Sequence, residues 1–307
     1  MSACSTVATL KLVEAEKAAF LKLCAWLFPI KLEAERPSSN QLEGICDTTI
    51  LHKGVLAHQL KEQTLFSEGF ETCFKDLENV AASIDNAYQN DVLLLLIDGF
   101  PVNAASFRGP DMAAAIGLLC KNRLLEYQDF GTLVDAIRDE NAGGVGTSKN
   151  SGFFALHTDL SPHPYPPSYM LMLMERNAEI GGDSLFCDMR EVLQKLPCEA
   201  AKVLQQDFEF LPLPGKEGNP LLAPILNLDE HQQFKAIRYR RDRINETRLN
   251  EAQFSALKEL DMFIQKNLFK IKLAAGSAVL VFNRQMLHGR EAFQGKDRLA
   301  WRVYVQP

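Results

Sequence analysis

The sequence predicts an α+β fold in which short strands form a sandwich buttressed by helices. Three observations point to it. Helical spacing of apolar residues dominates the first ninety positions. From Asp91 onward, short apolar runs stopped by Gly and Pro read as strands. Sustained helical patterning then returns mainly in one stretch, near residues 190–267. The expected organisation is a single catalytic domain over 1–307, with a mainly helical part (1–90) packed on a strand-rich core (91–307) that carries a helical insertion. A chain of 307 residues is long enough to bury such a core. The strand pattern alone permits several sandwich topologies.

In order, residues 13–28 place Phe20, Leu23, Cys24 and Leu27 at helical spacing, and Pro29 ends the run. Residues 35–40 read as a loop. Residues 55–61 and 66–88 read as helix, with Phe70, Phe74, Leu77, Val80, Ala81 and Ile84 on one stripe facing the later sheet. Residues 91–101 then change character: a continuous apolar run closed by Gly99 and Pro101 marks a buried strand. Residues 113–123 return to helix. The stretch 141–152 is polar and glycine-rich. It lacks the Gly-Lys-Ser/Thr ending of a phosphate cradle and reads as the wall or lid of a site.

Next comes Leu156-His157-Thr158-Asp159. Two positions apart on an extended segment, His157 and Asp159 point to one side and can share a divalent ion. Residues 161–167 hold four prolines and form a rigid loop, in which His163 has no carboxylate at ligand spacing. Residues 168–176 are a strand, and 180–189 run through Gly181-Gly182-Asp183-Ser184 into another. Residues 190–204 are helical with a break at Pro197. Residues 209–224 form a loop with short strands, and 234–239 alternate as a strand. Arg240, Arg241, Asp242 and Arg243 make either a solvated turn or a basic rim for carboxylated small molecules. Residues 250–267 form an amphipathic helix with Phe254, Leu257, Leu260, Met262, Phe263 and Ile264 mostly inward. Two strands, 269–273 and 277–282, flank a turn at Gly276. The chain ends with Asn283-Arg284, His288-Gly289-Arg290 and the strand that carries Arg298 and Arg302.

Composition excludes more than it assigns. A net charge of −6 argues against a nucleic-acid surface. Seven scattered cysteines without a Cys-x-x-Cys pair argue against a disulfide framework or structural zinc site and fit a reducing, cytoplasmic setting. The early run from Leu10 to Phe28 is broken by Lys11, Glu14, Glu16, Lys17 and Lys22, so no membrane span or signal peptide is expected. The expected partner is a small molecule, with neither nucleic acid nor membrane involved; oligomeric state is open.

His-x-Asp, Pro166-Pro167, Gly-Gly-Asp-Ser, Asn283-Arg284, His288-Gly289-Arg290 and the arginine strand occur in one order. In that order the chain, over roughly Asp91–Val305, resembles the Fe(II)/2-oxoglutarate oxygenases of the taurine dioxygenase and clavaminate synthase-like superfamily. The resemblance implies a double-stranded β-helix (jelly roll) core. It implies Fe(II) on His157, Asp159 and His288, a facial triad that leaves positions open for 2-oxoglutarate and O2. Arg298, ten positions after His288, would bind the far carboxylate of 2-oxoglutarate with help from Ser184, which stands where relatives carry Thr. Arg302, four residues later on the same strand face, would hold an anionic substrate group or else pair with a protein carboxylate. Thr147 and Arg238 complete the expected substrate-binding set. Hydroxylation of a free amino acid or amino-acid derivative is the expected reaction, with a sulfonate or betaine substrate, or a desaturating or cyclising outcome, as alternatives. Asp159 departs from the many amino-acid oxygenases that use Glu there, and its presence disfavours halogenation. A Zn or Mn jelly-roll protein without 2-oxoglutarate, or a metal-free protein with two satisfied histidines, uses the same triad residues; Arg298 and Ser184 in register argue against the former.

Overall fold

The computed structural model describes residues 7–22, 75–90, 92–105, 107, 109–119, 123–125, 134–140, 148–229, 231, 233–295 and 297–306. The predicted helix at 55–61, the first part of that at 66–88, and Thr147 lie outside them.

The chain begins with strand β1 (Val7–Lys11) and helix α1 over residues 14–22, followed by α2 (Glu78–Gln89) and β2 (Leu94–Asp98). Helix α3 (Gly109–Leu119), β3 (Arg123–Leu125), β4 (Val134–Ile137), β5 (Phe154–His157) and β6 (Tyr169–Arg176) lead to the middle of the chain. There β7 (Ile180–Gly181), β8 (Ser184–Asp188), α4 (Met189–Lys195), α5 (Cys198–Val203), β9 (Asp207–Phe210) and β10 (Leu221–Pro224) follow. The last part holds β11 (Leu226–Leu228), β12 (Phe234–Ile237), α6 (Glu251–Asn267), β13 (Phe269–Ile271) and β14 (Ser277–Phe282). It closes with β15 (Met286–Arg290), β16 (Phe293–Gln294) and β17 (Leu299–Gln306).

Two sheets carry the architecture. The larger has the order β1-β2-β14-β6-β17-β3, with β4 also paired to β17; the smaller has the order β13-β8-β15-β5. Strand alternation sorts their side chains into three cores. Leu94, Met170, Met174, Val279, Val281 and Ala300 of the large sheet meet Phe186 and Met286 of the small one, so this core lies between the sheets. The opposite face of the large sheet, with Leu95, Ile97, Leu171, Leu173 and Leu280, packs on Phe20 of α1, Ile84 of α2 and Ile116 of α3. The outer face of the small sheet, with Leu156, Leu185, Cys187 and Leu287, packs on α4, α5 and α6. The order is helices, sheet, sheet, helices.

Local sequence explains most element ends. Helix α2 buries Val80, Ile84 and Ala87, and Leu77 just before it is buried on the same side, a helical stripe as expected. Pro197 separates α4 from α5. Asn250 caps α6 in a reciprocal capping box with Gln253, and Gly276 adopts φ 83 at the turn before β14.

Four expectations are corrected. Residues 7–11, inside the part expected to be mainly helical, are a strand, paired parallel to β2 with Val7 opposite Leu94. The five-residue segment is defined by a partner far along the chain, which no local pattern reveals. Helix α3 runs from Gly109 to Leu119, and Arg123 belongs to a strand. On α6 the buried face is Gln253, Ala256, Leu257, Leu260 and Ile264. Phe254 and Met262 lie off that stripe and are exposed, with the Lys258 ammonium over the Phe254 ring. Finally, the strand ends at His157, so Asp159 is not on it. Among the described residues no helix is long and apolar enough to cross a membrane.

Candidate active site

Strands β5 and β15 are antiparallel neighbours, and His157 stands directly opposite His288. Cross-strand pairing is what brings the two rings together, with centroids 4.5 Å apart. The register slips between His288 and Arg290, where Phe154 rather than Ala155 faces Arg290. This bulge turns Phe154 to the same side as His157, with ring centroids 4.2 Å apart. Gly289 occupies the crowded point: a Cβ there would lie 2.6 Å from the Phe154 carbonyl oxygen.

Beyond the end of β5 the chain turns through Leu160 at φ 55. The Asp159 carboxylate, two residues past His157, faces both histidines. Asp159 Oδ1 lies 3.4 Å from His157 Nε2, and Oδ2 lies 3.2 Å from His288 Nε2. All three side chains are buried, and their ligand atoms fall within 4.8 Å of one another.

The protonation states suit a cation. His157 Nδ1 is 2.9 Å from the Ala155 carbonyl oxygen, so that nitrogen carries the hydrogen and donates it. Nε2 keeps its lone pair, and it is buried without a hydrogen-bond partner. Burial and the facing His288 push the His157 pKa down to about 4, against the pull of Asp159. Burial alone would raise Asp159, but Arg302 and His288 hold its carboxyl well below the usual carboxylate range. Two imidazole nitrogens and one carboxylate, buried and gathered within 4.8 Å, with His157 Nε2 and Asp159 Oδ2 lacking a hydrogen-bond partner, fit a divalent ion with open positions such as Fe(II).

Asp159 and His288 line a pocket. Ile137, Phe154, Met170, Met172 and Phe186 give it apolar walls, and Ser184, Arg298 and Arg302 supply polar groups. Arg298 is 2% exposed, and its NH1 group has no hydrogen-bond partner among the described residues. Burial and the neighbouring Arg290 lower its pKa to about 9, so it remains a cation at neutral pH. Its guanidinium rests over Phe293 at 5.4 Å, and Arg290 lies over the same ring at 4.6 Å. The Gly-Gly pair of the Gly-Gly-Asp-Ser motif makes this possible. At Gly181 (φ 71) a Cβ would lie 2.4 Å from the Ala292 carbonyl oxygen; at Gly182 (φ 77) one would press on Phe293 at 3.2 Å. Phe293 therefore comes close enough to seat Arg298.

Arg302 differs from its neighbour. It donates to Asp159 Oδ1 at 3.2 Å and to Asp135 Oδ2 at 2.7 Å. Burial opposes its charge, but Tyr304, Asp159 and Asp135 sustain it. The sequence reading left open whether Arg302 meets a substrate anion or a protein carboxylate; in this state it meets two carboxylates. Asp135, on β4, was not foreseen. The available signal was a single acid in the otherwise apolar run Val134–Ile137.

Arg238 sits away from the cavity wall. Its guanidinium donates to the carbonyls of Ser161 and His163 and so ties down the proline-rich loop after Asp159. Arg290 does the same on the other side of the motif, donating to the carbonyls of Ser148, Asn150 and Gly152. His163 lies outside the cluster that could hold a metal, and its Nδ1 contacts Tyr165 within the loop. Arg240 pairs with Asp242, and Arg241 with Glu246 and Asp261, so this cluster is largely internally paired.

The sequence model of the taurine catabolism dioxygenase TauD, TfdA family matches residues 70–304, which include every residue of the site. The chain belongs to this dioxygenase family. The TauD, TfdA-type fold also recurs among solved structures. An asparagine oxygenase in complex with Fe(II), 2S,3S-3-hydroxyasparagine and succinate superimposes with a TM-score of 0.73 at 15% identity, covering 97% of this chain and 93% of that one. The non-haem iron oxygenase OrfP in complex with Fe and alpha-ketoglutaric acid gives 0.71 at 17% identity, covering 98% and 94%. OrfP with Fe, succinate and (3S)-hydroxy-L-Arg gives 0.69 at 18% identity, covering 97% and 94%. No curated protein sequence matches the chain.

Proposed function

We propose that this TauD, TfdA-family dioxygenase is a single catalytic domain that hydroxylates a C–H bond of a small carboxylated molecule, a free amino acid or close derivative, using Fe(II), 2-oxoglutarate and O2. The observation that carries the reading is that a buried His-Asp-His triad, through Asp159 and His288, and a buried arginine with an unpartnered NH1 group share one pocket. The two facing sheets are read as the double-stranded β-helix of clavaminate synthase-like oxygenases.

His157, Asp159 and His288 would hold the iron, and Arg298 with Ser184 would take the far carboxylate of 2-oxoglutarate. A guanidinium fork suits that carboxylate geometrically, and the anion would give the buried cation its missing counter-charge. When bound, these groups supply the oxidation: one atom of O2 enters succinate, CO2 leaves, and the other atom enters the substrate C–H bond. The protein's part is arrangement. His157 is held as the tautomer with a free Nε2, Arg302 keeps Asp159 ionised, and Phe154, Met170, Met172 and Phe186 keep water from the reacting region. The asparagine oxygenase and OrfP complexes hold hydroxylated amino acids, which supports the amino-acid assignment. A substrate carboxylate at Arg302 has to share or replace Asp135.

The test is a screen of amino acids for substrate-stimulated succinate formation from 2-oxoglutarate under air. Stimulation by one or a few amino acids, lost on iron removal and in His288→Ala, is the expected result. Full activity after exhaustive chelation would sink the oxygenase reading. Stimulation only by a neutral compound would sink the substrate class.

A further inference from the structure

Asp159 lies beyond the end of β5, where no strand ladder takes up its peptide groups. Both are instead taken by one side chain. The Asp159 N–H donates to Asn283 Oδ1 at 2.7 Å, and Asn283 Nδ2 donates to the Asp159 carbonyl at 3.1 Å. The same Nδ2 donates to the Pro167 carbonyl at 3.0 Å, at the far end of the proline-rich loop. Asn283 is 1% exposed, and its own N–H is fixed on the Ser168 carbonyl at 2.9 Å, just past the end of β14.

We propose that Asn283 is a positioning residue for the metal ligand Asp159, acting through the main chain while Arg302 acts on the carboxylate. The inference rests on the triad's being a metal site. An N–H on one side and two carbonyls on the other leave the amide a single orientation. Its acceptor and both donor hydrogens are used, so the amide imitates the strand edge that Asp159 lacks and ties both ends of the 159–167 loop to β14. An aspartate of the same shape would turn an anionic oxygen toward two carbonyls. An alanine would leave one N–H and two carbonyls unsatisfied in a dry interior. In either case the Asp159 main chain loses the bonds that set its distance from His157 and His288. The residue belongs to the Asn283-Arg284 motif of the sequence, which is thereby given a physical task.

The experiment uses the full-length metal-free protein and Co(II) as a redox-inert probe. Co(II) affinity and the visible ligand-field spectrum are measured for wild type, Asn283→Ala, Asn283→Asp and His288→Ala, alongside each apoprotein's unfolding temperature. Loss of an outer-shell partner of a metal ligand costs roughly 10–100-fold in affinity. The expected result is a weakening of that size in both Asn283 variants, with an altered Co(II) spectrum in the folded protein. If Asn283→Ala does not fold, Asn283→Ser, which keeps a small polar group in the space, carries the same expectation. A folded variant that is less heat-stable yet binds Co(II) within twofold of wild type, with the same spectrum, overturns the proposal and leaves Asn283 a purely structural residue. Wild type that binds Co(II) no better than His288→Ala overturns the metal-site reading itself, and this inference with it.

Discussion

Arg298 and Arg302 stand on the same wall of the cavity, yet their charges are balanced in opposite ways. Arg298 is buried with no ion pair among the described residues, whereas Arg302 already holds Asp135 and Asp159. Arg298→Ala is therefore expected to weaken 2-oxoglutarate binding by about 1.5–3 kcal/mol, roughly ten- to hundredfold in Kd, the scale of a charge-assisted hydrogen bond. Ser184→Ala should cost less, since it removes a neutral donor. Calorimetric titration of the metal-loaded protein under nitrogen decides it, and an unchanged Kd in Arg298→Ala would move the assignment to Arg302. Asp135→Asn tests the second arginine. If a substrate carboxylate engages Arg302, releasing Arg302 from Asp135 should lower KM for that substrate several-fold while substrate-free 2-oxoglutarate turnover persists. A KM that stays put would show that Arg302 only braces Asp159. The triad and Arg298 were legible in the sequence because each sits in a short motif at fixed spacing. Asp135 was not, because it meets Arg302 across 167 residues and β4 carries no motif. Arg238 was misplaced for a related reason: a basic residue beside a basic cluster gives no hint that it will collect loop carbonyls.

At the level of elements, strand pairing aims the two histidines, and turns and a bulge adjust what surrounds them. Sequence alternation put His157 and Asp159 on one strand face; the structure brings the two side chains together although the strand itself ends at His157. The His-Asp-His cluster thus emerged from an incomplete geometric argument, since residue type and spacing survive where backbone detail does not. The Gly-Gly turn shows the converse. Its glycines were readable as a motif, but their purpose, letting the chain after β7 pass close to Phe293, depends on β16, which no local pattern announces. Gly181→Ala should cost about 1–2 kcal/mol for the left-handed backbone alone. The contact with the Ala292 carbonyl adds to that cost. The expected readouts are a lower unfolding temperature and weaker 2-oxoglutarate binding, through displacement of Phe293 and Arg298. Wild-type stability and affinity together would refute this account of the motif.

For the molecule as a whole, the buried triad makes stability depend on acidity. In the metal-free protein the folded-state pKa of His157 is about 4, below its ordinary value of 6.5, so the unfolded chain takes up the proton first. The stability this group contributes is complete above about pH 6.5 and falls as the pH drops toward 4. Thermal unfolding of the apoprotein should show that slope, and His157→Gln should flatten it; a wild-type midpoint constant over this range would contradict the buried neutral histidine. The layered arrangement was partly legible, since apolar strand runs foretold a sandwich and the stripe over residues 66–88 foretold a helix covering its sheet. The β1 strand was not, because its identity comes from pairing with β2 across most of a hundred residues. The pairing of β5 with β15 has one more effect. Leu156 and Leu287 immediately precede the two histidines and point the other way, into the core under α4, α5 and α6. A slip of one residue between these strands would turn His157 or His288 away from the cavity and bring a leucine out of that core. Fully burying such a leucine is worth about 1.5–3 kcal/mol. The hydrophobic layer behind the sheet thus proofreads the histidine pair: a chain that mispairs there exposes its error as lost packing before any ligand has to sense it.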